Sequence, residues 1–368
     1  MVSIKLQVFQ GPGESFTAQQ VEFDTAVDLG EGEVLVHIDL ATICGSDIHT
    51  IDGKRKEETP SVLGHEAVGT IVAIKGRAEL SVGTRVTWTI ADSCGKCAPC
   101  VEHDLPQKCE RLFKYGHAAL SDGSGLNGCY ASHVVLRAGT HIVPLPDTVT
   151  DAVAAPANCA LATMVHAVDL WRRHCRSTAV KPKDSDAKLG TALVQGGGLL
   201  GIYACALLRE SGATEVLCVE VDEARFPLIE QFGGTPIDGS DAEHATEQVL
   251  ERCPGGVDAA FEVAGAKQLL SQGVHALRIG GFYGWVGLVH PDSAIDMTAE
   301  LVIRKCLTLR GIHNYRPIDL EHAVAFLERN IDRLPFASLV SPPIALDDLA
   351  QAVELSRQRR FMRVSLIP

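Results

Sequence analysis

The run Thr191-Ala-Leu-Val-Gln-Gly-Gly-Gly-Leu-Leu-Gly201 decides how this chain folds. Residues 191–195 read as a buried strand and 199–210 as an apolar-faced helix ending near Gly212. Between them Gly196, Gly198 and Gly201 form a G-x-G-x-x-G turn, a weak signal alone and a strong one between strand and helix. Gly196 permits the tight turn, Gly198 lets a pyrophosphate approach the backbone, and Gly201 allows helix to pack on strand. Leu199 and Leu200 open the helix whose N-terminus would meet that phosphate. Glu220 ends the next strand, 220 − 201 = 19 positions after Gly201, where an acid binds a ribose diol. A carboxylate there repels a 2′-phosphate, so the reading is NAD over NADP. Asp222 is a rival acid but lies beyond the strand end, and Arg225 is read as facing adenine or solvent.

Working outward, strands and helices alternate through 215–220, 223–232, 257–263 and 281–288, which predicts a parallel, doubly wound sheet. An amphipathic helix over 319–328 and a strand over 363–367 close the chain. Toward the N-terminus the style differs. Segments 34–40, 66–74 and 84–90 read as short strands with glycine-bearing turns, an all-β, barrel-like unit. Residues 152–170 read as one helix and 172–188 as an exposed polar connection. With 368 residues, two domains are expected.

Two groups of metal-ligand residues lie in that β-rich part. Cys94, Cys97, Cys100 and Cys109 put four soft thiolates on one short loop, which suits a closed tetrahedral zinc. Cys44, His65 with Glu66, and Cys159 come from three distant segments, which suits a catalytic zinc with an open position. Zinc there would polarise an alcohol oxygen and lower its pKa while hydride leaves the adjacent carbon for a nicotinamide. Most of the remaining cysteines, such as Cys205, Cys218 and Cys306, sit in apolar patterns, so reduced thiols and a cytoplasmic location are expected. A formal charge of −13 argues against nucleic acid as a partner, and no apolar stretch is long enough for a membrane span.

Gly64-His65-Glu66, Cys44-x-x-Asp47-x-His49, the four-cysteine loop and the glycine turn, in this order, resemble the zinc-containing medium-chain alcohol dehydrogenases over essentially the whole chain. The resemblance implies a GroES-like catalytic domain at 1–159 and 314–368 and a Rossmann cofactor domain at 160–313. It implies Cys44, His65 and Cys159 as ligands of catalytic zinc, with Glu66 as an alternative ligand. Asp47 would support the zinc histidine, Ser46 and His49 would carry the alcohol proton outward, and Arg363 would approach the cofactor pyrophosphate. Two zincs, NAD, a small-molecule alcohol and a homodimer or homotetramer follow as cofactors and partners, with the apolar run 281–289 expected as the edge of the cofactor sheet that pairs across a two-fold axis. In one departure, eight residues separate Cys100 from Cys109 where the family usually has seven, which puts the loop geometry in question and makes His103 a stray donor.

The stretches 105–117, 136–147 and 155–159 are similar to a narrower branch, the phosphonate-catabolism-associated alcohol dehydrogenases. Lys54, Arg55, Lys56 and Lys114 are read as cations able to hold an anionic substrate, against the alternative of a solvated charge run. Trp88 and Ile90 are read as lining an apolar part of the pocket. Polyol and threonine-type dehydrogenases share every motif, and a non-catalytic zinc and nucleotide-binding protein is the rival from another class.

Overall fold

The structure, a computed structural model, describes residues 1–178, 189–290, 293–295 and 297–368. The chain divides into two compact units, Met1–Ala162 with Arg316–Pro368, and Thr163–Tyr315.

The first unit is built on a seven-stranded sheet. Its path runs through Ile142–Pro144, Arg85–Trp88, Glu66–Ile74, Val34–Ile43, Val364–Ile367 and Ile344–Ala345, with His133–Leu136 also paired to Val34–Ile43. A smaller sheet of Thr17–Phe23, Val2–Phe9 and Ser61–Val62 accompanies it. Val34–Ile43 is buried along most of its length, so it reads as a near-continuous apolar run rather than a clean alternation. Register fixes what its end meets: Thr42 lies opposite both Glu66 and Ser365, and Ile43 opposite Val364. Three distant segments therefore finish side by side, each carrying a polar residue at or next to the strand end.

Residues 151–178 are not one helix. Asp151–Ala154 is helical, Ala155–Asn158 tightens into a 3-10 turn, and the long helix starts afresh at Ala160. Pro156 has no N–H to continue the ladder, and the buried Asn158 amide donates to the carbonyls of His65 (3.0 Å) and Trp88 (3.1 Å). Cys159 sits at that break. The helix continues to Thr178, so 172–178, expected as connection, is helical; 179–188 lies outside the described residues. Its first buried turns carry the exposed end, where Asp169 and Arg173 pair at 2.8 Å one turn apart.

The second unit holds six parallel strands in the order Thr235–Asp238, Ala213–Glu220, Leu189–Gln195, Val257–Glu262, Leu277–Trp285, Thr308–Gly311. The chain enters at the centre and reverses direction there, the doubly wound Rossmann order with its switch point beside Leu189–Gln195. Two expectations are corrected. The helix expected over 223–232 is a 3-10 turn, Glu223–Arg225, followed by Phe226–Gln231, because Pro227 resets the helix start. The 281–288 segment is not the sheet edge: its strand ends at Trp285 and is covered by Thr308–Gly311. Among the described residues no single helix is long and apolar enough to cross a membrane.

Candidate active site and metal centres

Gly64 turns the chain into His65 with φ +87°, and a Cβ there would lie 2.5 Å from the Tyr130 ring, so only glycine fits. On the neighbouring strand, Cys44 stands at the N-cap of the short helix Gly45–Ile51, and Cys159 at the helix break described above. One donor atom from each of Cys44, His65, Glu66 and Cys159 lies within 4.8 Å of all the others. Cys44, His65 and Glu66 are buried and Cys159 partly so.

The electrostatics favour thiolate at Cys44. A hydrogen bond from the Cys159 thiol, opposed by burial and helped by Arg363, holds Cys44 well below its usual range. The same bond, with burial, pushes Cys159 up. Burial disfavours a charge on His65, but Asp47 and Cys44 outweigh it and raise the ring to about 10. A metal cation bound here would displace these protons, as thiolate and neutral imidazole are the ligating forms.

Asp47 organises the histidine. Its Oδ1 lies 3.3 Å from His65 Nδ1, an ion-pair distance at which the ring nitrogen is not aligned for a hydrogen bond. Its Oδ2 accepts from the Cys44 N–H (2.9 Å) and the Tyr130 hydroxyl (3.0 Å). A carboxylate behind Nδ1 would leave Nε2 as the atom to ligate a metal. Ser46 Oγ sits 3.5 Å from that Nε2, and His49, one turn further along the same helix, is exposed.

Arg363, expected at a cofactor pyrophosphate, is committed in this structure to Glu66. Its Nε and Nη2 donate to the two carboxylate oxygens at 2.6 and 2.9 Å, and Nη2 also reaches Cys44 Sγ at 3.6 Å. Thr42 Oγ1 donates to Glu66 at 2.7 Å. Glu66 is wholly buried, and burial lifts it to about 7 against the pull of Arg363. A buried carboxylate needs such a partner, which is the physical reason for the placement. Thr42, Tyr130 and Asn158 were not singled out from sequence; Thr42 is the register partner of Glu66, a relation visible only once strands are paired.

The four-cysteine loop closes on itself despite its extra residue. Cys97 Sγ lies 3.4 Å from Cys100 Sγ and 3.8 Å from Cys109 Sγ. Four sulfurs about 2.3 Å from one zinc would lie roughly 3.8 Å apart, so the loop fits that ion. The N–H groups of Cys94 and Arg111 donate to Cys109 Sγ at 3.2 and 3.3 Å. The longer spacing is taken up by a left-handed Asp104 (φ +54°) and the 3-10 turn Pro106–Lys108. The donor group consists of the four cysteines without His103.

In the second unit, Gly196 has φ +114°, and a Cβ on Gly201 would lie 1.8 Å from the Gly196 carbonyl oxygen. Gly198, the N-cap of Leu199–Glu210, leaves open space where a Cβ would stand. Glu220 Oε2 accepts from the Gly197 N–H at 2.7 Å, and Oε1 from the N–H groups of Val221 and Asp222. The Arg225 guanidinium, 20% exposed, pairs with Glu220 at 3.2 Å and Asp222 at 3.4 Å. Trp88 and Ile90, read as pocket lining, are both buried, Trp88 within the core of the first unit.

Of the expected cations, Lys54 is exposed and pairs with Asp52, and Lys56 is exposed. Arg55 turns to Glu57 at 2.6 Å.

Comparison with known proteins agrees with this geometry. Residues 30–147 match the family described as alcohol dehydrogenase GroES-like domain, and residues 200–329 the family described as zinc-binding dehydrogenase. A sorbitol dehydrogenase of Halalkalibacterium halodurans is 29% identical over 345 residues, 92% of each chain. An L-threonine 3-dehydrogenase of Bacillus velezensis is 26% identical over 352 residues, again 92% of each. The crystal structure of an alcohol dehydrogenase from Thermotoga maritima superposes with a TM-score of 0.89 at 26% identity, covering 100% of both chains.

Proposed function

We propose that this chain, which belongs to the zinc-binding medium-chain dehydrogenases, oxidises a small alcohol with NAD: the alcohol and oxidised NAD give the aldehyde or ketone, NADH and a proton. The observation that carries the reading is the convergence of Cys44, His65 and Cys159 with Asp47 behind the imidazole and Arg363 holding Glu66. Zinc held by Cys44, His65 and Cys159, with Glu66 as an alternative donor, would supply Lewis-acid activation of the alcohol oxygen. The chain's own residues do the rest. Asp47 orients His65 through Nδ1, Ser46 Oγ accepts the alcohol proton, and the exposed His49 delivers it to solvent. The Gly196–Gly201 turn cradles the pyrophosphate, and Glu220 receives the ribose hydroxyls once Gly197 N–H and Arg225 yield their places.

The four-cysteine loop binds a second zinc that holds its own fold together. The chain works as a homo-oligomer. The Thr308–Gly311 edge strand and the exposed Ile279, Val289 and Ile303 (72%, 63% and 71% exposed) support that reading. Relatives named for sorbitol and L-threonine support secondary and polyhydroxy alcohols as a first screen. The test is NADH formation with simple alcohols, diols, threonine and hydroxyalkyl phosphonates, with and without a chelator. Chelator-sensitive reduction of NAD by at least one class is expected; no reduction of NAD or NADP by any of them would overturn the proposal.

A further inference from the structure

Beside the metal donors lies a polar cluster that the reaction as described leaves without a role. His117 stacks on His65 with ring centroids 5.2 Å apart and planes at 27°. Its Nδ1 lies 3.0 Å from Glu57 Oε1, which also holds Arg55 at 2.6 Å. Glu57 is therefore shared, and its carboxylate fixes the His117 proton on Nδ1. The other ring nitrogen, Nε2, is buried and has no hydrogen-bond partner among the described residues, although the side chain is only 6% exposed. A buried acceptor left without a donor signals a missing group.

Lys114 belongs to the same cluster. It pairs across from Ala91 on a two-stranded ribbon, and the loop after it packs so tightly that a Cβ on Gly116 would lie 2.5 Å from the Gly64 carbonyl oxygen. The Lys114 side chain is partly buried, and its ammonium makes no hydrogen bond or ion pair to any described residue. Burial is the main reason its ammonium is less favoured than in water, with Arg55 adding repulsion. The Cys159, Glu57 and Cys44 charges favour it. Cys159 and Cys44 belong to the metal-donor cluster, and Glu57 is already held by Arg55 and His117. Lys114 thus keeps a partly buried ammonium with no ion-pair partner among the described residues, a costly arrangement that an anionic ligand relieves.

We infer that Lys114 determines substrate specificity by pairing with an anionic oxygen acid, a carboxylate or phosphonate, on the alcohol whose hydroxyl lies at Cys44, His65 and Cys159. His117 Nε2 accepts a hydrogen bond from a hydroxyl of the same ligand. This inference rests on the proposed dehydrogenase reaction and names its substrate class. Lys114, rather than the solvated Lys54 and Lys56, carries the charge selection.

The test compares alcohols of matched length that end in a carboxylate, a phosphonate or a neutral hydroxymethyl group. Wild type is expected to prefer one anionic series over the neutral one by at least about tenfold in kcat/KM. The series preferred identifies the anion. In Lys114→Met that ratio falls at least tenfold through KM, and Lys114→Arg restores most of it. Independently of turnover, calorimetry with acetate and methylphosphonate should detect binding to zinc-loaded wild type and a tenfold loss in Lys114→Met. Should Lys114→Met fail to fold, the wild-type preference and the anion titration decide. Preference for the neutral series with no anion binding, or a preference undiminished in Lys114→Met, overturns the inference while leaving the dehydrogenase reading in place. No turnover of any alcohol, with anion binding still lost in Lys114→Met, overturns the dehydrogenase reading instead.

Discussion

Glu66 and Arg363 are 297 positions apart in sequence and bonded through two charge-assisted hydrogen bonds in the fold. Both are buried, so removing one partner leaves an uncompensated charge. Arg363→Met is expected to destabilise by about 3–5 kcal/mol in urea unfolding. Adding Glu66→Gln should recover at least about 1 kcal/mol, because the orphan charge is then gone. An Arg363→Met protein as stable as wild type would mean that Glu66 is solvated after all. The two donor clusters were legible from sequence because cysteine and histidine in these spacings have few other uses. Their supports were not. The resemblance implies Arg363 near the pyrophosphate, and an arginine in a strand advertises charge without revealing its partner Glu66. Lys114 was legible as a cation, but nothing in the sequence separated its partly buried setting from the solvated one of Lys54.

Elements carry the next level of consequence. His37 and His133 face each other across paired strands, rings edge to face at 5.0 Å, with His37 on Asp39 and His133 on Ser132. Burial first, then the charge of His37, lowers His133 to about 4. Its folded value lies below the unfolded one of about 6.5, so the unfolded chain binds more protons between those two values. Stability from this pair is therefore full above about pH 6.5 and lost as pH falls toward 4, by an order of 1–2 kcal/mol after allowance for solvent screening. His133→Gln should flatten the fall in melting temperature over that window; an unchanged slope would assign the acid sensitivity elsewhere. In the second unit, Gly201→Val would drive a side chain into the Gly196 carbonyl, and loss of NAD binding with a fall of several degrees in Tm is expected. Strand and helix periods made most elements readable. The break at Cys159 escaped because it depends on the Asn158 side chain finding two carbonyls far away in sequence, which no local pattern encodes.

For the whole molecule, the two-unit division and the parallel sheet were foreseeable from the change of pattern near residue 150 and the alternation after 191. The sheet edge was not, since a glycine-rich strand reads alike at an edge or one place inside it. Cofactor choice and assembly belong at this scale. Wild type should prefer NAD over NADP by at least about tenfold in kcat/KM, roughly 1.4 kcal/mol. Glu220→Ser should narrow the gap, because it removes the repelling carboxylate and frees the Arg225 guanidinium for a 2′-phosphate. Equal turnover with NADP in the unmodified enzyme would contradict the role of Glu220. A monomeric mass at micromolar concentration would contradict the reading of the Thr308–Gly311 edge. The most direct test of the central claim joins metal analysis to turnover in wild type and Cys44→Ser. Two zincs per chain are predicted in wild type. One zinc is predicted in Cys44→Ser, with the four-cysteine site intact, the fold retained and alcohol oxidation lost by at least about a thousandfold. A single zinc in active wild type, or undiminished turnover in Cys44→Ser, would contradict the account.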